Sequence, residues 1–121
     1  MARFLFLLHE VPGELDGMSP EDMQAVIEEY TRWAGQLGGR HLGGNKLADE
    51  PGRQLARDSS GVRVIDGPFS ETKERIGGYF LVEASGYEQA VELARGCPHL
   101  RYGSRIEVRQ IDELVEAEGR A

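Results

Sequence analysis

Asp66, at the end of an apolar run, and three histidines, His9, His41 and His99, are the residues of this chain whose types suit proton transfer. A carboxylate beside an imidazole is a general acid or base that works near neutral pH. Asp66 and His99 are therefore the expected catalytic pair, with His9 or His41 meeting them at the mouth of a site. Each histidine taken alone also has an ordinary reading, as a surface or structural residue. Arg105, Glu107 and Arg109 alternate along a late apolar segment, and a charge turned inward there must find a partner. Either they form a structural Glu–Arg ion pair at a dimer seam, or they serve as an anion-binding or acid/base group. With Tyr79, His9 and His41 they make up the expected substrate-binding set. The histidines, Asp66 and Glu107 are donors that a divalent metal accepts, but no H-x-x-x-H or comparable spacing groups them, so neither a metal nor another cofactor is expected. G-x-S-x-G, C-x-x-C and G-x-G-x-x-G are absent, which leaves nucleophilic serine chemistry and nucleotide binding without a basis. Cys97, the single cysteine, has no partner for an internal disulfide and reads as a small buried hydrophobe.

The elements that must position these residues follow from hydrophobic spacing. Arg3 to His9 is apolar on both alternations, as in an interior strand buried on both faces. Glu10 to Gly17 is a loop, after which Ser19-Pro20-Glu21-Asp22 starts a helix, with a serine cap, a proline at the first position and acids at the positive end of the dipole. Met23, Val26, Ile27, Tyr30, Trp33, Ala34 and Leu37 form its apolar stripe, and Gly38-Gly39 ends it. His41 to Leu47 reads as a strand in which Gly43-Gly44 permits a bulge or the close approach of another backbone. Asp49 to Gly61 is polar and carries a short strand at Gln54 to Arg57, and Val62 to Asp66 is a further strand. Gly77 to Ala84 is the next strand. Ser85 to Glu88 forms a capping box for a second helix whose stripe is Tyr87, Ala90, Val91, Ala94 and Cys97. His99 to Gly103 links this helix to a last strand, Ser104 to Ile111, in which Ile106 and Val108 face one way and Arg105, Glu107 and Arg109 the other.

The most specific stretch runs from Val64 to Ala84. Asp66-Gly67-Pro68-Phe69 halts a strand for local reasons: Asp66 accepts backbone hydrogen bonds, Gly67 tolerates positive φ and Pro68 lacks a donor. Asp66 is accordingly either a turn former or a carboxylate aimed into a site. Glu71-Thr72-Lys73-Glu74-Arg75 is either a solvated turn or a polar flap over a pocket. This tetrapeptide, with Glu71 to Glu74 and Gly77-Gly78-Tyr79 after it, resembles the signature of the DGPF branch of the YCII-related family, and the similarity extends over nearly the whole chain. The resemblance implies a dimeric α+β barrel built from ferredoxin-like protomers. It also implies acid/base chemistry, which the wider family is thought to perform with a His–Asp pairing that has no clear equivalent early in this chain. An association with extracytoplasmic-function sigma factors, beside which such proteins are often encoded, is implied as well.

The residues support the same architecture independently. The order is β-α-β-β-α-β with a hairpin-like elaboration between Leu47 and Val62, one domain over residues 1–111 followed by an acidic tail, 112–121. Two helices cover only one face of such a sheet, and a second copy closing over the other would hide the doubly apolar first strand. A homodimer enclosing a cavity for a small-molecule ligand is expected. The formal charge of −7 argues against nucleic acid and anionic membranes as partners. The run Phe4 to Leu8 is too short for a signal segment, and a cytoplasmic protein is expected. Two functions suit this picture: a lyase or isomerase that moves protons on an anionic metabolite, or a non-catalytic ligand-binding or accessory module.

Overall fold

The computed structural model describes residues 1–67 and 74–113. Pro68, Phe69 and Glu71 to Lys73 of the signature, and Leu114 and Val115 of the tail, lie outside the described residues.

Strand β1 (Ala2–Glu10) occupies the middle of a four-stranded antiparallel sheet ordered β2-β5-β1-β6, with β2 spanning His41–Lys46, β5 Arg75–Ala84 and β6 Arg105–Gln110. Its alternation sorts the side chains. Phe4, Phe6 and Leu8 are buried, whereas Leu5, Leu7 and His9 on the opposite face stay partly exposed, the His9 side chain by 12%. The buried face receives α1 (Pro20–Leu37) through Trp33 and Leu37, and α2 (Tyr87–Arg95) through Ala90 and Ala94; Val82 and Ala84 of β5 and Cys97 complete this core. Trp33 packs edge-on against Phe80 with ring centroids 5.0 Å apart, and its indole N–H donates to the Leu93 carbonyl at 3.2 Å. The buried tryptophan thus has its polar atom satisfied and ties the two helices together.

The α1 cap is as the sequence dictates: Ser19 Oγ accepts from the Asp22 backbone N–H at 3.0 Å, and Pro20 opens the helix. Ile27, expected on the apolar stripe, is half exposed, because the seam through Val26, Trp33 and Leu37 leaves it on the flank. In α2 the cap is Gly86 rather than Ser85. The side chain that reaches back is that of Gln89, whose Oε1 accepts from the Ser85 backbone N–H at 2.7 Å, so the capping arrangement is displaced by one residue. Tyr87 and Val91 lie at the edge of the α2 stripe, half exposed, while two alanines make its centre and let the helix sit close to the sheet. The expected link His99 to Gly103 contains a four-residue helix, α3 (His99–Tyr102). Its Arg101 and Tyr102 side chains both donate to Glu29 of α1, at 2.8 and 2.9 Å.

Both expectations for Gly43-Gly44 are met. The β2–β5 register shifts between His41 and Gly43, and a Cβ on Gly44 would lie 2.6 Å from the Tyr79 carbonyl oxygen. The elaboration is a separate two-stranded hairpin, β3 (Arg53–Asp58) and β4 (Gly61–Asp66). Its turn is held by Asp58, which accepts from the Ser60 backbone at 2.8 Å and the Ser60 hydroxyl at 2.7 Å. Leu55, Val62 and Val64 on it are 67%, 67% and 62% exposed. Among the described residues no helix is long and apolar enough to cross a membrane.

Candidate active site

The partly exposed face of the sheet carries the polar groups that alternation predicts. Register places Asn45, Tyr79, Leu7 and Glu107 in one row across all four strands, and Gly43, Leu81, Leu5 and Arg109 in the next. His9 stands opposite Arg105, one step along β1 from Leu7. From there its ring reaches diagonally to Glu107, and Nε2 lies 3.0 Å from Glu107 Oε1. Diagonal neighbours on one sheet face are within reach of long side chains, so this contact follows from the pairing of two strands 98 residues apart in sequence.

The contact acts on the Glu107 carboxyl. The His9 hydrogen bond, with a lesser contribution from Arg109, holds the Glu107 carboxyl below the usual glutamate range. An ionised carboxylate only accepts, so His9 Nε2 turns a proton towards it. Among the described residues Nδ1 has no hydrogen-bond partner. Arg109 approaches the other Glu107 oxygen at 3.4 Å. The Glu–Arg ion pair of the structural reading is present, and the same glutamate also contacts an imidazole.

Glu74, from the far end of the signature segment, joins this corner. Its carboxylate accepts from Arg105 Nε at 2.8 Å. A hydrogen bond from Ser104, then that from Arg105, lowers its pKa, with a further contribution from nearby His9. The next residue, Arg75, pairs with Glu10 at 2.9 Å and with Asp49, fastening the start of β5 to the end of β1. In the sequence both belong to the segment Glu71 to Arg75, which reads as a solvated turn or a polar flap, and neither is among the expected site residues. The available signal is their position at the start of a strand paired with β1.

The remaining expected site residues separate. Asp66, at the base of the hairpin, has an 85% exposed side chain 3.1 Å from Arg53 Nε. Gly67 beside it has φ 96°, as the turn reading requires. His99 is 5% exposed and its two nitrogens face other partners, the His9 carbonyl and the Tyr30 hydroxyl. The described contacts thus contain no Asp66–His99 proton pair, because one residue belongs to an outlying hairpin and the other to the core. His41 pairs in register with Val82 and packs its ring against Phe80 at 5.8 Å, on the helix-covered side, away from His9. Tyr79 does reach the open face, where its hydroxyl accepts from Asn45 Nδ2 at 2.9 Å and keeps its own proton to donate. Cys97 is buried, and burial pushes its thiol up to about 11, which suits packing rather than nucleophilic chemistry. No cluster of three or more metal-ligating side chains exists among the described residues.

A four-stranded antiparallel sheet with its helices packed on one face, in the order found here, defines a ferredoxin-like α+β protein. The chain belongs to the YCII-related family, whose domain matches residues 2–114. It is 32% identical over 83 residues to an uncharacterized protein of Rhizobium meliloti (strain 1021), a match covering 68% of this chain and 63% of that relative. Among solved structures it resembles the 5-chloro-2-hydroxyhydroquinone dehydrochlorinase TftG of Burkholderia phenoliruptrix AC1100 in complex with 2,5-dihydroxybenzoquinone. The TM-score is 0.55 at 13% identity, over 91% of this chain and 93% of that one, a likeness of fold.

Proposed function

We propose that the protein is a small-molecule enzyme that moves protons on an anionic substrate, of the lyase or isomerase class, with His9 as the acid/base group and Glu107 as the carboxylate that orients it. The observation that carries this reading is the 3.0 Å His9–Glu107 contact on a sheet face that is otherwise apolar at Leu5, Leu7 and Leu81. His9 Nδ1 takes a proton from a carbon or hydroxyl acid and returns it elsewhere on the substrate, while Glu107 stabilises the imidazolium that forms in between. Arg105 and Arg109 flank the pair and supply positive charge to an anion, and the Tyr79 hydroxyl donates to a substrate oxygen. Asp66 and His41 have no direct part in this scheme.

A second copy of the chain, set over Leu5, Leu7, Tyr79 and Leu81, would turn the open face into an enclosed cavity and exclude water from the proton transfer. The dehydrochlorinase fold neighbour, solved with a hydroxylated quinone, supports a planar, ionisable substrate.

The test offers the purified protein 2,5-dihydroxybenzoquinone and a set of small hydroxy and keto acids in deuterium oxide. Binding is followed by calorimetry and exchange of carbon-bound hydrogen by NMR. His9→Asn and Glu107→Gln should keep binding within a few-fold and slow exchange or turnover by about a hundredfold or more. Binding with no exchange in any variant would instead establish the non-catalytic ligand-binding module. Exchange that survives His9→Asn would remove His9 from the chemistry.

A further inference from the structure

The His9 carbonyl oxygen is the meeting point of donors from two residues. Ser104 gives its backbone N–H at 3.1 Å and His99 Nε2 lies at 2.7 Å, while the single proton of the Ser104 hydroxyl, 2.9 Å away, is shared between this carbonyl and the Glu74 carboxylate. A carbonyl has two lone pairs, so a strand residue ordinarily spends one on its ladder partner and leaves the other to solvent. Here the backbone bond from Ser104, just before β6, is joined by His99, at the residue beside the irregularity in the β1–β5 register between Leu8 and His9. A carbonyl cannot donate, so His99 Nε2 bears the hydrogen and Nδ1 is the acceptor. That acceptor faces the Tyr30 hydroxyl at 3.1 Å. Burial raises the Tyr30 pKa, which keeps its proton in place to donate. The ring fills the space over Gly103, where a Cβ would come within 2.0 Å of His99 Cε1, so its position is set from below as well.

We infer that His99, held by Tyr30, is a positioning residue that fixes the His9 peptide through its carbonyl and thereby sets the reach of the His9 ring to Glu107. The inference rests on the His9–Glu107 reading above and assigns His99 a role in it without contact to substrate. Fixing the peptide removes the freedom of β1 to twist at its irregular end, and a side chain reaching diagonally across a sheet is sensitive to that twist. A misplacement of about 1 Å in a reacting group costs about a hundredfold in rate.

The test reads Glu107, whose low pKa comes first from His9. Its carboxyl is titrated by carbon-13 NMR in the wild type, His9→Asn, His99→Phe and His99→Gln. His9→Asn should raise the Glu107 pKa towards the ordinary glutamate range. His99→Phe, which keeps the ring volume but loses both nitrogens, should raise it in the same direction. His99→Gln, which restores a donor in the place of Nε2, should return it close to wild type. A purely structural role for His99 would lower the melting temperature of His99→Phe and leave the titration where it was, which overturns the inference. If His9→Asn itself moves nothing, the His9–Glu107 reading fails instead. Should His99→Phe not fold, Ser104→Ala at the exposed end of the same clamp carries the readout: a smaller rise in the Glu107 pKa supports the inference, and no change overturns it.

Discussion

Glu107 is one of the carboxylates whose ionisation is linked to the folded state. Its pKa is lowered in the folded protein, so its contribution to stability is present above the unfolded carboxyl value of about 4.3 and is lost as pH falls through the lower folded value. Glu74, lowered by Ser104 and Arg105, behaves in the same sense. Melting curves between about pH 3 and 6 should show wild type losing stability more steeply on acidification than Glu107→Gln, which has nothing to protonate at that position. Equal slopes would mean that the His9 contact does not persist in solution. This pairing was only half legible in the chain. Alternation turned Glu107 away from Ile106 and Val108, and the need for a partner followed from that. Which partner depends on the antiparallel register between the first and last strands, a quantity no local pattern encodes. His99 was misleading for the opposite reason. An imidazole after a helix looks available until the short helix α3, too brief to have a hydrophobic period, carries it into the core.

Among the elements, the helices and the central sheet were readable because their apolar residues recur at 3.6 or 2. The hairpin β3–β4 was readable from its turns, yet its energetics differ. Trp33 joins both helices to the sheet, and Trp33→Ala should destabilise the protein by about 3–5 kcal/mol. Val64 is a strand valine that is mostly exposed, and Val64→Thr should shift stability by no more than about 0.5 kcal/mol. Chemical denaturation of the two variants checks the contrast. A large loss at Val64 would show that the hairpin face is covered in solution. The Arg53–Asp66 contact at its base, exposed on both sides, belongs with the surface ion pairs that contribute about 1 kcal/mol or less.

At the scale of the whole molecule, one sheet face is packed by helices and the other is apolar at its centre and charged at one margin. Size-exclusion with light scattering should give twice the 13.4 kDa chain mass, and Leu7→Arg, in the middle of the open face, should give a folded monomer without ligand binding. A stable wild-type monomer would leave the proposed cavity without a lid. The central position of β1 bears on how the chain reaches this state. Phe4 pairs with Val82 on one side and Gln110 on the other, so the strand made first is completed by strands made late. Such long-range pairing makes folding slow relative to a helical protein of the same size. Ser104 and Glu107, which contact His9, lie 95 and 98 residues further along the chain. The proposed acid/base group is therefore complete only when β6 pairs with β1, so a chain that lacks β6 holds the imidazole but not the carboxylate that orients it.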